Sequence, residues 1–210
     1  MNIFALSKDP VESAQQMLNK HIVKMPTETC QMLHTNALFM EYTDRYGQEP
    51  TLRQLKEYHA LMDSKLMKPA MLNHPSTIWA RQSIHNTLWL YNHGMALCEE
   101  YTERYGKEHG SFNRMLQTPI EFDADTTLAT PVSIAMADQY RIENTFDDEW
   151  EFVIQSYRHY YLEGKWKFAE WPEGKIPDWW PKNHYAVKYN KGVRAYNATN
   201  PKYPMLLLEE

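Results

Sequence analysis

The longest helical pattern in the chain runs from about Ser76 to Tyr105, and it commits the sequence to a helical fold. Within it Ile78, Trp79, Leu88, Tyr91, Met95 and Cys98 return at roughly three- or four-residue steps, as a core-facing helix stripe requires. Asn73-His74-Pro75 precedes it as a turn, and Gly106 follows as a C-terminal stop. Upstream, Asp9-Pro10 reads as N-cap and first-turn proline of a helix to about Lys20. A second helical stretch spans His21 to about Tyr46, with a kink or restart expected at Pro26, where the helix loses an N–H, and Gly47 ends it. Thr51–Leu66 is expected as a third helix, and Asp147–Tyr161 as the last full one.

The remaining segments lack this regularity. Asn2–Leu6 is an apolar run suited to a strand or an extended arm. Pro119, Thr126-Thr127 and Thr130-Pro131 mark a long irregular connection with a short helix near Pro131–Tyr140. The expected architecture is mainly α: a compact bundle of about five to six helices, with an irregular aromatic- and Lys-rich C-terminal segment. A helical core over residues 1–150 would carry residues 151–210 as a packed extension of one domain, since 210 residues bury an ordinary core without staples. Cys30 and Cys98, the only cysteines, read as small buried thiols, so a reducing compartment is expected. The N-terminal residues show no signal-peptide pattern and the Leu206–Leu208 run is too short to span a bilayer, so a cytoplasmic location is expected.

A net charge of −5 argues against a protein that coats nucleic acid. The charge is uneven, however: residues 151–204 hold nine Lys or Arg against five Asp or Glu, and residues 1–150 hold thirteen against twenty. The basic stretch also contains thirteen of the chain's 28 aromatic residues. Aromatics interleaved with Lys165, Lys167, Lys175, Lys182, Lys188, Lys191 and Arg194 suit a surface that stacks unpaired bases. Equally, Trp166, Trp171, Trp179 and Trp180 can simply pack an irregular tail onto the helices. Glu41–Glu49 recurs as Glu100–Glu108 at an offset of 59, with His34 opposite His93. The echo fits either ordinary C-capping chemistry or a duplicated helical hairpin.

His21, Lys24, Glu28 and Gln31 follow one another at spacings of three, four and three, which places them on one helix face. A solvated Lys–Glu pair beside a surface histidine has the same pattern. No Gly-rich phosphate loop, zinc spacing, nucleophile elbow or HExxH motif is present, and neither a metal nor a cofactor is expected.

Three blocks in order, over about half of the chain, resemble the pyrimidine-dimer DNA glycosylases, in a remote phage or bacterial branch. They are His21 with Glu28; His74-Pro75-Ser76-Thr77-Ile78-Trp79 leading to Arg104-Tyr105-Gly106-Lys107; and Tyr157-Arg158-His159-Tyr160-Tyr161 with Gly164-Lys165. The resemblance implies a DNA repair enzyme that excises a damaged or modified base and then nicks the backbone. An amine exposed by removal of Met1 would be the nucleophile, at Asn2, and Glu28 would move the proton, with His21 orienting it or holding a phosphate. Lys24, Thr27, Gln31, His74, Arg81, Tyr157, Arg158, Tyr160, Tyr161 and Lys165 would contact double-stranded DNA with an extruded base.

The sequence departs from that family's pattern at three points. Asn2 is larger than the small residue that favours loss of Met1, Thr27 and Gln31 stand where the family has arginines, and the segment before His21 is longer. A carboxylate desolvated near Met25 and Met32 also suits general acid–base catalysis on an attacking water. A base-modifying transferase on the same scaffold and a noncatalytic nucleic-acid or nucleotide binder are the other readings the sequence leaves open.

Overall fold

The computed structural model describes residues 2–120 and 128–210, and among these it contains eight α-helices and no strand. They are α1 (Pro10–Gln15), α2 (Asn19–Tyr46), α3 (Leu52–Leu61), α4 (Pro75–Arg81), α5 (Ile84–Tyr105), α6 (Phe112–Leu116), α7 (Glu149–Tyr160) and α8 (His184–Thr199). From α7 the chain passes through a π-turn, Tyr161–Lys165, into a 3-10 turn, Trp166–Phe168.

The mainly α architecture is as expected, with more helices than the five or six anticipated. The 76–105 pattern is two helices, because Ser83 leaves helical geometry (φ −152°) and accepts the Asn86 N–H as N-cap of α5. Conversely, α2 runs through Pro26 without restarting, with that residue buried in the helix interior. A helix near 131–140 is reduced to one 3-10 turn, Asp138–Tyr140. The preceding residues are held extended by side chains of α5 and α7: Asn86 Oδ1 accepts the Thr130 N–H, and the Tyr157 hydroxyl accepts that of Ala135. Thr126 and Thr127 lie outside the described residues. The short α6 and the whole of α8, inside the segment expected to be irregular, were not legible from spacing.

α2 and α5 form the centre of the molecule and α1 packs on α5. Ile22, Met25, Met32, Leu33, Trp89, Leu90 and Leu97 lie in the core between them. Gly94 sets how closely the two long helices approach. A Cβ at residue 94 would fall 2.6 Å from Thr29 Cγ2 and 2.7 Å from Met115 Sδ. A second, smaller cluster of Leu38, Phe39, Tyr42, Leu55, Tyr58 and Leu72 seats α3 against the far half of α2.

The irregular segments are fixed by indole N–H groups that donate to neighbouring oxygens. Trp89 donates to Lys8 O (2.7 Å), Trp150 to Ala129 O, Trp171 to Gln16 O and Trp179 to Gln16 Oε1. Trp180 packs against Trp171 and Trp179 and is 9% exposed. The tail tryptophans therefore hold the segment after α7 onto the end of α1. Arg104, buried with Glu100, fastens the end of α5 to the α1–α2 junction by donating to Met17 O, Gln15 O and Asn19 Oδ1.

The echo of Glu41–Glu49 in Glu100–Glu108 is a shared helix ending. Gly47 (φ 67°) and Gly106 (φ 68°) each close their helix in the left-handed region, with N–H groups donating to Thr43 O and Thr102 O, both at 2.8 Å. Cys30 and Cys98 are free and buried, and burial pushes their thiols up to about 11 and about 12. Among the described residues no helix is long and apolar enough to cross a membrane.

Gly94→Ala forces Thr29, whose β-branched side chain has little freedom to move. Overpacking of this kind costs about 1–3 kcal/mol, so thermal unfolding should show a Tm several degrees lower, while Gly110→Ala, with nothing near its Cβ, should not.

Candidate active site

An apolar arm fixes the site. Ile3, Phe4, Ala5 and Leu6 are at most 5% exposed, so their burial draws the first residues down between α2 and α7. The arm's backbone is pinned: Leu6 N–H donates to Ser13 Oγ (3.0 Å), Ser13 Oγ donates to Phe4 O (3.2 Å), and Arg158 donates from Nε and a terminal nitrogen to Leu6 O (3.2 and 2.9 Å). Phe4 stacks on His21 at 4.3 Å and meets Tyr157 and Tyr161 edge-on.

Asn2 is consequently held in one position. Its Nδ2 donates to Ala135 O (2.8 Å), and its Oδ1 accepts from Ile3 N–H (2.8 Å) and lies 3.1 Å from the Tyr157 hydroxyl. That hydroxyl, fully buried, also lies 3.0 Å from Ser133 O and accepts from Ala135 N–H. Burial raises its pKa well above the usual phenol range, so it stays protonated and continues to serve this junction.

The backbone nitrogen of Asn2 then points at Glu28, donating to Oε2 at 3.1 Å. Lys24, one turn earlier on α2, donates to Oε1 of the same carboxylate at 2.8 Å. Glu28 is 16% exposed at its side chain and Lys24 is 67% exposed, so the pair sits at a rim that a solute can reach. His74, the N-cap of α4, accepts the Ser76 N–H on Nδ1. Its pKa is lowered by partial burial, against the pull of the nearby Glu28 carboxylate. Two nitrogens thus contact one largely buried carboxylate, whose charge also reaches His74.

The other residues singled out from the sequence are distributed differently. His21 does not join Glu28. It is buried, shares a 2.6 Å hydrogen bond with the Tyr161 hydroxyl, and is covered by Phe4, because the arm occupies the space its face of α2 would otherwise open to solvent. Burial, with Lys165 and then Lys24 nearby, pushes its pKa down to about 3, so it is neutral and cannot hold a phosphate as a cation. Tyr157 and Tyr161 are fully buried and present no surface to DNA.

Arg81 and Arg158 are scaffold cations. Arg81 donates to Leu72 O (2.8 Å) and lies over Phe39, and Arg158 holds Leu6 O beside Trp179. Thr27 is exposed, and Gln31 reaches Lys68 O at 3.4 Å. Tyr160 and Lys165 are half-buried, with the Lys165 ammonium 4.4 Å from the Tyr160 ring centre. Met1 lies outside the described residues.

Sequence spacing missed Lys20, which stands exposed one turn before Lys24 with its ammonium over Phe168. It also missed the carbonyl of Ala135, which no side-chain pattern reveals. A cavity of about 710 Å³ opens between Glu12, Glu100, Glu103, Arg158, Lys175 and Trp179, and Glu28 does not line it. Among the described residues no three His, Cys, Asp or Glu side chains converge on a possible metal position.

The buried histidines have a pH signature. His93, stacked on Trp89 and hydrogen-bonded through Nδ1 to Pro10 O, is pushed down to about 4 by burial. Both it and His21 are neutral when folded but protonate near 6.5 when unfolded, so the unfolded chain binds more protons below that pH. Their contribution to stability is complete above pH 6.5 and is lost as pH falls toward 4 and 3. Urea unfolding at pH 6.5 and 5.5 should show stability falling by about 1.4 kcal/mol per histidine across that unit at most, and His93→Gln should flatten the slope by about one proton.

A search of the curated proteins and of the solved structures returns no match to the chain. The family model described as pyrimidine dimer DNA glycosylase does match, over residues 1–113. The matched region contains the arm, α1 to α5, Asn2, Lys24, Glu28 and His74. The chain belongs to the pyrimidine dimer DNA glycosylase family.

Proposed function

We propose that the protein is a DNA glycosylase that cleaves the N-glycosidic bond of a damaged or modified base extruded from double-stranded DNA, with Glu28 and the nitrogen of residue 2 as its reacting groups. The observation that carries this reading is the 3.1 Å contact between Asn2 N and Glu28 Oε2. Cleavage of Met1 would convert that nitrogen from an amide to an α-amine without a change of place, because Asn2 is held by its own side chain. An α-amine titrates near about 8, so a useful fraction carries a free lone pair at neutral pH.

In the proposed reaction the amine lone pair bonds to the sugar C1′ as the C1′–N bond breaks. The base leaves with that electron pair and takes up a proton, and the attacking nitrogen gives a proton to Glu28. Glu28 returns that proton to O4′ as the C1′–O4′ bond opens to a Schiff base, and loss of a C2′ proton to the carboxylate, with the 3′ phosphate as leaving group, nicks the strand. With Met1 retained, the same carboxylate would deprotonate a water instead, giving base release without a nick.

Phosphate contacts fall to cations not consumed by the scaffold. Arg81 and Arg158 are bound to backbone carbonyls, whereas Lys20, Lys24 and Lys165 lie along the exposed side of α2 and across from it at the π-turn. These lysines stand in for the arginines absent at Thr27 and Gln31.

With abasic duplex DNA, borohydride should trap a covalent adduct, and intact-mass analysis should show that Met1 has been lost. With lesion-bearing duplex DNA, base release without a borohydride-trapped adduct would assign the attack to water. Glu28→Gln should slow base release by about 10²–10⁴-fold with little change in DNA affinity; an unchanged rate would remove Glu28 from the chemistry. Lys24→Ala and Lys165→Ala should each reduce the salt dependence of DNA affinity by about one unit of slope, and Arg81→Ala should lower Tm instead.

A further inference from the structure

Residues 170–180 follow α7 and lie outside residues 1–113, yet they dock on the junction of α1 and α2. Asn19 N–H donates to Glu170 O (2.8 Å) and the Trp171 indole to Gln16 O (2.9 Å). Lys175 donates to both oxygens of the buried Glu100 carboxylate, at 2.9 and 3.1 Å. The segment is thereby fixed at three points before it reaches Trp179.

Trp179 meets both supports of the N-terminal arm. On one side its ring centre lies 5.4 Å from the guanidinium carbon of Arg158, which holds Leu6 O through two nitrogens. Its indole N–H donates to Gln16 Oε1 at 2.7 Å, and the same oxygen lies 3.5 Å from a terminal nitrogen of Arg158. On the other side Trp179 meets Tyr161 edge-on at 6.0 Å. The Tyr161 hydroxyl is bonded to His21, and Phe4 stacks on that imidazole. Leu6 is thus held by its carbonyl and Phe4 by its ring, and both holds end on one indole. An arginine side chain left to itself samples many rotamers, whereas an aromatic face and a shared oxygen leave this guanidinium few orientations.

We propose that Trp179 is a positioning residue: through Arg158, and through Tyr161 and His21, it sets the place of the arm and with it the seat of the residue-2 nitrogen on Glu28. Asn2 and Glu28 belong to the region that the family model matches, and the brace behind them comes from outside it. The consequence for turnover rests on the proposed role of that nitrogen; the positioning itself does not.

Ile3 N–H donates to Asn2 Oδ1, so it reports the seat with Met1 present or absent. In Trp179→Ala, hydrogen exchange at Ile3 should quicken by about tenfold or more, while Leu97, in the core of α5, keeps its rate. Trp179→Phe, which keeps a ring over Arg158 and loses the bond to Gln16, should move Ile3 the same way by a smaller factor, and it gives the reading if Trp179→Ala does not fold. An Ile3 rate unchanged in every folded variant, or a Leu97 rate quickened by the same factor as Ile3, overturns the proposal. With saturating lesion-bearing duplex DNA, Trp179→Ala should lower kcat by about 10²-fold at unchanged KM. Tyr58→Phe, which removes a hydrogen bond to Glu41 in the separate α3 cluster, should leave kcat as it is. Faster exchange at Ile3 with kcat unchanged in Trp179→Ala would uphold the positioning and overturn the role proposed for the nitrogen.

Discussion

Burial of Ile3 to Leu6 between α2 and α7 is the constraint from which the site follows. A free N-terminal segment would sample many positions, and a nitrogen within reach of Glu28 would be an occasional event. Packing of Phe4 on His21, together with the Tyr157 hydroxyl that joins Asn2, Ser133 and Ala135, turns it into a fixed distance. The residues that hold the arm are themselves aromatic and buried, so the geometry is paid for by core packing rather than by polar contacts at the rim.

The same arrangement divides the cations by chemistry. Arginine's planar fork serves carbonyl oxygens in confined places, and Arg81, Arg104 and Arg158 are each used that way to join separate parts of the chain. Lysine's flexible ammonium remains at the surface, where Lys24 meets Glu28 and Lys20 and Lys165 lie on aromatic rings. Positive charge counted from sequence therefore overstates what is available to a phosphate, and the location of each cation matters more than the net value of −5.

Much of the fold was legible because it is written in helix stops. Gly47 and Gly106 end α2 and α5 where the sequence places them, and Asp9-Pro10 opens α1. Ser83 was missed because an N-cap inside a continuous apolar pattern alters local geometry without altering periodicity. α8 was missed because its packing stripe is polar: Asn190 sits where a core leucine would have announced a helix. At the site, Glu28 and Lys24 were found as a spaced pair, but spacing put His21 beside them. Only the docked arm, a contact between residues 17 apart in sequence, turns that histidine inward. Ala135 O contributes through its backbone alone and leaves no sequence trace.

The central claim is that the nitrogen of residue 2 rests on the Glu28 carboxylate in the free protein. The ¹⁵N resonance of Asn2 tests it directly. At fixed pH the signal should move in Glu28→Gln and stay in place in Glu99→Gln. A resonance indifferent to Glu28, or one showing the averaged shift of a mobile terminus, would contradict the account.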